Sequence, residues 1–269
     1  MSQRPVGVGP QPLDKLDYQV VDGVAIIRLN DPDTMNAVTM EMLTQLRLLL
    51  EQAESEARCA VLLGGRRAFC SGANLSVPAV PEDREPQDAG LGLEMHMNPL
   101  MMRIRALRIP LVVGVQGAAA GFGASLALSG DIIVADETAF FVQAFVHIGL
   151  VPDGGILWLL THSIGRVRAM EFALLGERLS ALKALEYGMI SRIVPAGHVE
   201  TEAMALAQRL VAGPRTAVSL TRRAVWDAAE FRFETALGRE VIAQREAGAH
   251  PDFDEGVAAF LAKRAPRFR

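Results

Sequence analysis

One apolar segment, residues 111–128, constrains the fold more than any other part of the sequence. It reads LVVGVQGAAAGFGASLAL, with Gln116 and Ser125 as its polar residues. Its length is at the lower limit for a membrane-spanning helix, but four glycines and a preceding proline disfavour a single helix. No aromatic belt or Lys/Arg cluster flanks it closely. We therefore predict a buried strand, Leu111–Val115, followed by a glycine-rich turn and a helix near 119–128.

Strand patterns alternate with helix patterns as far as Val194, and four helix patterns without a strand follow. This alternation predicts an α/β fold with parallel strands, and the all-helical end predicts a separate layer that docks on a neighbouring subunit. We divide the chain into a disordered leader (1–14), a core (15–195) and a helical oligomerisation region (196–269). Within the core, prolines and acidic residues in 77–92 predict a mobile surface loop.

Local signals predict several individual elements. Asp22-Gly23 lies between two strand patterns and predicts a hairpin turn. Thr39 is predicted to cap a helix whose apolar residues recur at helical spacing. Further helix patterns include 156–161, 165–175 and, at the end of the chain, 254–264.

The composition excludes several functional classes. The formal net charge is −4, so no basic stripe is available for a general nucleic-acid binder. Cys59 and Cys70 have no CxxC or zinc-site spacing, and we predict buried free thiols in a reducing compartment. The N-terminal residues lack the apolar region of a secretion signal, which favours a cytoplasmic protein. The histidines show no HxxxH or HExxH spacing, so neither a metal site nor a prosthetic group is expected.

Two glycine-containing turns follow buried strands, FCSGANL at 69–75 and GAAAGFGAS at 117–125. Backbone N–H groups are left unpaired at such places, and two that converge on one point form an oxyanion hole. Tight backbone packing without a ligand explains the glycines as well, and spacing alone favours it. The second turn lacks the third glycine of a dinucleotide-binding loop and the second glycine of a serine-hydrolase elbow.

Asp153 lies among apolar residues and glycines in the run IGLVPDGGI, residues 148–156. Burial would raise the pKa of its carboxyl group and suit it to proton transfer. The alternative is that Asp153 caps the helix that begins near Gly155. His147, six residues earlier, is either close to Asp153 or simply packed.

Five ordered motifs resemble those of a known family. They are NDPDTMNA at 30–37, FCSGANL at 69–75, the segment 110–131, GLVPDGG at 149–155 and GVAAFLAKR at 256–264. With these motifs, residues 16–269 resemble the crotonase (enoyl-CoA hydratase/isomerase) superfamily. The resemblance implies a spiral of ββα units, a C-terminal helical trimerisation region and a homotrimer or dimer of trimers.

The resemblance also implies an acyl-CoA thioester substrate, with coenzyme A present as part of that substrate. The oxyanion hole would consist of the backbone N–H groups of Ala73 and Phe122. Residues along the path of the CoA would be Ala37, Ser71, Ala73 and Leu75. Phe260 and Lys263 would reach the CoA, often that of a neighbouring subunit. Met35 replaces a basic residue that is common in the first loop of the family.

The catalytic positions depart from the hydratases of this family, which use two glutamates to activate water. Their places here are taken by Ser125 and Phe145. Asp153 stands where some isomerases and the aryl-CoA dehalogenases have their single catalytic aspartate. The run 140–155 is most similar to the ring-epoxide isomerases of phenylacetyl-CoA breakdown, a branch of the family.

The leading hypothesis is therefore an isomerase in which Asp153 acts as acid and base on an enolate. An apolar wall would exclude water and raise the pKa of Asp153, and it would consist of Phe145, Phe122, Phe141 and Trp158. Three alternatives remain open at this point: hydration by an atypical site, nucleophilic attack by Asp153 on an aryl-CoA, and a non-catalytic CoA-thioester binder.

Overall fold

The computed structural model describes residue 13, residues 15–76 and residues 88–269. The predicted leader at 1–14 lies almost entirely outside the described residues, and so does most of the predicted surface loop at 77–92. Within the described part of the chain, no helix is both long enough and apolar enough to cross a membrane.

Strands and helices alternate through most of the chain. The strands are β1 (Leu16–Val21), β2 (Val24–Leu29), β3 (Cys59–Leu63), β4 (Ala68–Cys70), β5 (Leu111–Val115), β6 (Ala118–Ala120), β7 (Ile132–Asp136), β8 (Phe140–Val142), β9 (Leu179–Ser180) and β10 (Arg192–Val194). The helices are α1 (Met40–Glu56), α2 (Ala89–Gly92), α3 (Asn98–Ala106), α4 (Phe122–Leu128), α5 (Ile156–Leu175), α6 (Ala181–Tyr187), α7 (Val199–Val211), α8 (Arg215–Ala228), α9 (Phe233–Gly248) and α10 (Pro251–Leu261). A π turn, Leu93–Met97, joins α2 to α3.

Two sheets organise the core. The larger has six strands in the order β1-β2-β3-β5-β7-β10, and the smaller has four in the order β4-β6-β8-β9. The pairs β1–β2 and β8–β9 are antiparallel and the other pairs are parallel. In the successive pairs β3–β4, β5–β6 and β7–β8, the first strand lies in the large sheet and the second in the small one. This repeat confirms the predicted α/β spiral of ββα units.

Local signals explain several boundaries. The predicted hairpin forms, and its turn residues Asp22 and Gly23 both have positive φ, which matches the twist of the strands. The hydroxyl oxygen of Thr39 accepts the N–H of Met42 and so caps α1, as predicted. The predicted helices at 156–161 and 165–175 form α5, which is interrupted at Gly165 with a φ of +77°.

The prediction of a helix from residue 119 is wrong at its start. Ala118–Ala120 instead form β6, because this segment pairs with β4 on one side and with β8 on the other. The helix α4 begins only after Gly121. The last helix, α10, also differs from the predicted 254–264, because it begins at Pro251 and ends at Leu261. The side chain of His250 accepts the N–H of Asp252 and caps the helix, and the proline occupies the first helical position.

The apolar side chains form two clusters. The larger lies between the sheets and helices α1, α3, α4 and α5, and includes Leu111, Val113 and Val115 of the buried strand β5. The smaller lies on the other face of the large sheet and is covered by α7 of the same chain. Cys59 and Cys70 are free and buried, as predicted, and burial raises the pKa of each thiol to about 12.

A buried ion pair fixes α8 to the core. The Nε of Arg222 donates to Oδ2 of Asp131 at 2.6 Å, and the same carboxylate oxygen accepts the N–H of Leu111 at 2.7 Å. Trp226 donates its indole N–H to the other oxygen of Asp131. The remaining nitrogens of Arg222 donate to carbonyl oxygens at the end of α3, which are those of Ile104, Arg105 and Leu107. Helix α8 is thereby attached where β5 begins.

Candidate active site

The turn after β4 leaves one backbone donor free. The N–H of Val38 donates to the carbonyl oxygen of Gly72 at 2.8 Å, and the N–H of Asn74 donates to that of Val38 at 2.9 Å. These two bonds bracket Ala73, whose own N–H has no hydrogen-bond partner among the described residues. Gly72 has a φ of +107°, a conformation that side chains rarely adopt.

The turn after β6 leaves a second donor free. The N–H of Gly121 donates to the carbonyl oxygen of Val142 at 2.9 Å. Phe122 is the first residue of α4, so no preceding helical carbonyl is available to its N–H. No other residue in the described ranges accepts it.

Glycines bring these two turns into contact. A Cβ atom at Gly72 would lie 3.0 Å from the carbonyl oxygen of Ala120, and one at Gly123 would overlap the carbonyl oxygen of Cys70. Strands β4 and β6, which precede the turns, are neighbours in the small sheet. The free donors of Ala73 and Phe122 therefore come from packed, adjacent turns, an arrangement that can stabilise negative charge on a carbonyl oxygen.

Replacing Gly123 tests this close approach. Gly123→Ala should lower the free energy of unfolding by about 1–3 kcal/mol, because the new methyl group forces the turns apart. A displacement of about 1 Å should also lower turnover on the order of 100-fold. Gly238→Ala, in the interior of α9 where nothing lies within 4 Å, is the control and should stabilise the protein by about 1 kcal/mol. Equal effects of the two variants in urea unfolding would contradict the packing of the turns.

A third segment places Asp153 against the second turn. The backbone carbonyl oxygen of Asp153 accepts the hydroxyl of Ser125 at 2.8 Å. A Cβ atom at Gly154 would lie 2.8 Å from Cβ of Ser125 and 3.0 Å from the ring of Phe122. Because contacts this short require glycine at position 154, Asp153 is held directly beside α4.

The carboxyl group of Asp153 is suited to accept a proton. Its Oδ1 is enclosed and has no hydrogen-bond partner in the described part of the chain. Burial raises the pKa of Asp153 to about 6. Capping of α5 by Asp153 is wrong, since the N-cap residue is Gly155 and no side chain caps that helix. The physical reason is that Gly154 and Gly155, both at positive φ, turn the chain away from the helix end.

The raised pKa predicts a pH dependence of activity. A carboxyl group accepts a proton only when ionised, so kcat/KM should fall as the pH is lowered through about 6. The pH profile of kcat/KM for an acyl-CoA substrate measures this midpoint. A midpoint near 4, the ordinary value for an aspartate, would contradict the buried environment of Asp153.

Two of the four residues predicted for the apolar wall lie at the turns. Phe122 contacts Gly154, and the ring of Phe145 lies 3.6 Å from the Cβ position of Gly121. The prediction is wrong for Trp158, which stacks on Trp226 at 6.0 Å and lines a separate cavity of about 700 Å³ between α5 and α8.

The fourth predicted wall residue, Phe141, is buried in the main apolar cluster together with Phe122, and its strand partner is Ala119 of β6. Its place in the wall remains a prediction. The candidate histidine lies elsewhere. The Nε2 atom of His147 lies 3.2 Å from the carbonyl oxygen of Gly176, the residue that ends α5. The ring therefore packs at the end of that helix. Among the described residues, no group of three or more His, Cys, Asp or Glu side chains could hold a metal ion.

Asn36 is a structural residue that the sequence did not single out. Its Oδ1 accepts the N–H of Asp31 at 2.7 Å, and its Nδ2 donates to the carbonyl oxygens of Ala68 and Phe69. It therefore ties the first loop to β4. Its positive φ, shared with Met35, is a three-dimensional feature without a signal in the local sequence.

The residues expected along the CoA path fall into two groups. Ala37 adjoins the bridge to Ala73, and Ser71 donates its hydroxyl to the carbonyl oxygen of Thr34 at 3.0 Å, so both lie at the first two loops. Leu75 is 75% exposed. At the end of α10, Phe260 is 82% exposed and Lys263 is also exposed. A CoA contact from this helix remains a prediction.

Comparisons with known proteins agree with this architecture. A family model described as enoyl-CoA hydratase/isomerase matches residues 19–269. The 1,2-epoxyphenylacetyl-CoA isomerase of Escherichia coli (strain K12) is 42% identical over 251 residues, which cover 93% of this chain and 96% of the relative. A probable enoyl-CoA hydratase of Rhodobacter capsulatus is 39% identical over 255 residues, with 93% and 96% covered.

Solved structures are similar over nearly the whole chain. A putative enoyl-CoA hydratase from Streptomyces coelicolor A3(2) superimposes with a TM-score of 0.91 at 30% identity, covering 100% of this chain and 99% of the other. A putative enoyl-CoA hydratase/isomerase from Mycobacterium abscessus gives 0.89 at 34% identity, with 94% and 99% covered. The chain belongs to the enoyl-CoA hydratase/isomerase family and has the crotonase fold.

Proposed function

We propose that the protein is an acyl-CoA isomerase that uses Asp153 as its single acid/base residue. The observation that supports this is the half-buried carboxyl group of Asp153, held on the turn of Phe122 with a raised pKa. By the family resemblance, the places of the hydratase glutamates would fall on Ser125 and Phe145, neither of which is a carboxylate. One carboxyl group suffices when the same proton leaves and returns.

The proposed reaction conserves all atoms of the substrate. Ionised Asp153 removes a proton from a carbon near the thioester, and the C–H electrons move to the thioester oxygen as an enolate. The N–H groups of Ala73 and Phe122 stabilise this charge. The protonated Asp153 then donates the proton to a different carbon, and the thioester carbonyl re-forms with the double bond displaced.

Coenzyme A would enter the site as part of the substrate and not as a prosthetic group. We propose that Ala37, Ser71, Ala73 and Leu75 line its path and that Phe260 and Lys263 contact the CoA of a neighbouring subunit. A homotrimer or dimer of trimers would cover the exposed apolar side chains of α9 and α10, among which are Val241, Ile242, Phe253 and Val257.

Hydration is the second candidate, supported by the 39% identity to a protein named a probable enoyl-CoA hydratase. Incubation with a 2-enoyl-CoA in water enriched in heavy oxygen separates the two reactions. A displaced double bond without label supports isomerisation, whereas label in a hydroxyacyl product supports hydration. A covalent adduct on Asp153 with an aryl-CoA, found by mass spectrometry, would instead indicate nucleophilic attack. Tight CoA binding without turnover of any acyl-CoA would indicate a binding protein.

A further inference from the structure

Gln143 is a buried polar residue that the proposed reaction does not use. It lies directly after β8, is fully buried, and neither Oε1 nor Nε2 has a hydrogen-bond partner among the described residues. Such enclosed, unpaired amide groups destabilise a folded chain and are rare in proteins. A functional partner would explain why this position is not apolar.

A second unpaired group lies at the other end of the same segment. Gln143 precedes residues 144–152 and Asp153 follows them, and the enclosed Oδ1 of Asp153 also lacks a partner in the described chain. The two groups are a hydrogen-bond donor and an acceptor, yet they are not bonded to each other in this structure. Gln143 therefore offers a free donor, Nε2, and Asp153 offers a free acceptor, Oδ1.

The backbone brings the two ends of this segment together on α4. Next to Gln143, the carbonyl oxygen of Val142 accepts the N–H of Gly121, and the carbonyl oxygen of Asp153 accepts the hydroxyl of Ser125. The N–H of Ser125 donates to the carbonyl oxygen of Gly121, so these anchors are one helical turn apart. The segment that joins Gln143 to Asp153 is therefore held at both ends by the same turn of α4.

We propose that Gln143 is a positioning residue, whose Nε2–H donates to Oδ1 of Asp153 when the acyl thioester fills the site. The bond keeps Oδ1 from taking the proton and leaves Oδ2 to exchange it with the substrate. A donor to the carboxylate also favours its charged form, which counteracts the effect of burial. This inference rests on the proposed function, because it assumes that Asp153 transfers the proton.

The variant Gln143→Met tests the proposal, because methionine keeps the length of the side chain and removes the amide. Removing an unpaired buried amide should leave the urea midpoint unchanged or raise it. We expect kcat to fall about tenfold and the acid limb of its pH profile to move up by about one pH unit, since the carboxylate loses a donor. A purely structural role would not move the acid limb.

Gln45→Met is the matched control. Gln45 in α1 is also buried with an unpaired Oε1, so it undergoes the same chemical change away from the two turns. Its kcat and acid limb should stay at the wild-type values. Should Gln143→Met not fold, Gln143→Leu supplies the same readout, because it also removes the amide and adds no titratable group.

The outcomes distinguish this inference from the proposed function. An acid limb that stays at the wild-type position in each Gln143 variant that folds, together with an inactive Asp153→Asn, overturns the role of Gln143 alone. Wild-type turnover by Asp153→Asn overturns the proposed function and the inference with it. An upward shift confined to the Gln143 variants supports both.

Discussion

Asp153→Asn should lower kcat for isomerisation of an unsaturated acyl-CoA by about 10²–10⁴-fold, the usual contribution of a general acid/base residue. The amide has nearly the same size and shape as the carboxyl group but cannot accept the proton. The backbone donors of Ala73 and Phe122 remain in place, so KM should change much less than kcat. Steady-state kinetics on one 3-enoyl-CoA measure both constants.

The stability of Asp153→Asn provides its control. The folded state holds the pKa of Asp153 at about 6, above the ordinary value of an aspartate, because burial disfavours the charged form. Ionisation therefore costs the folded state free energy: the contribution is most favourable below about pH 4 and is lost as the pH rises through about 6. The substituted amide does not ionise, so at pH 7.5 the variant should be at least as stable as the wild type in urea. Low activity in an unstable variant would not support the catalytic role, and full activity would contradict it.

Arg222→Ala should lower the free energy of unfolding by about 3–5 kcal/mol, the cost of breaking a buried ion pair. The change leaves the carboxylate of Asp131 without its cation and removes the donors to three carbonyl oxygens at the end of α3. The loss should appear as a lower urea midpoint, measured at one protein concentration so that any self-association affects both proteins equally.

The neighbouring Arg223→Ala is the matched control for that variant. Arg223 is exposed, and its nearest carboxylate, that of Asp227, lies 3.9 Å away on the same helix. Surface pairs of this kind contribute about 0–1 kcal/mol, so the urea midpoint should hardly change. A loss for Arg222→Ala no larger than that of Arg223→Ala would contradict the attachment of α8 to the core by this pair.

Local sequence predicted most of the fold because its elements have strong local signals. The Asp22-Gly23 turn, the Thr39 cap and the apolar spacing of α1 each depend on neighbouring residues, and all three were confirmed. Ala118–Ala120 could not be assigned in this way, since alanine fits a helix or a strand. Pairing with strands elsewhere in the chain decides the conformation of this segment.

The candidate site was only partly predictable. Asp153 stands out as a carboxylate among apolar residues, but its burial against Phe122 depends on the packing of Gly154. Assignment of the Ala73 and Phe122 donors required the family resemblance, because a free N–H has no signature in a single sequence. Trp158 was misplaced because its stacking partner is on α8, whose docking no local pattern predicts.

The movement of one proton by Asp153 is tested most directly by deuterium transfer. The substrate is a 3-enoyl-CoA deuterated at the carbon next to the thioester, and the reaction is run in ordinary water. In the proposed mechanism Asp153 takes and returns the same proton in a site shielded by Phe145, so some first-turnover product should carry deuterium at the carbon that receives it. A displaced double bond with no deuterium at that carbon, or an unmoved double bond, would contradict the account.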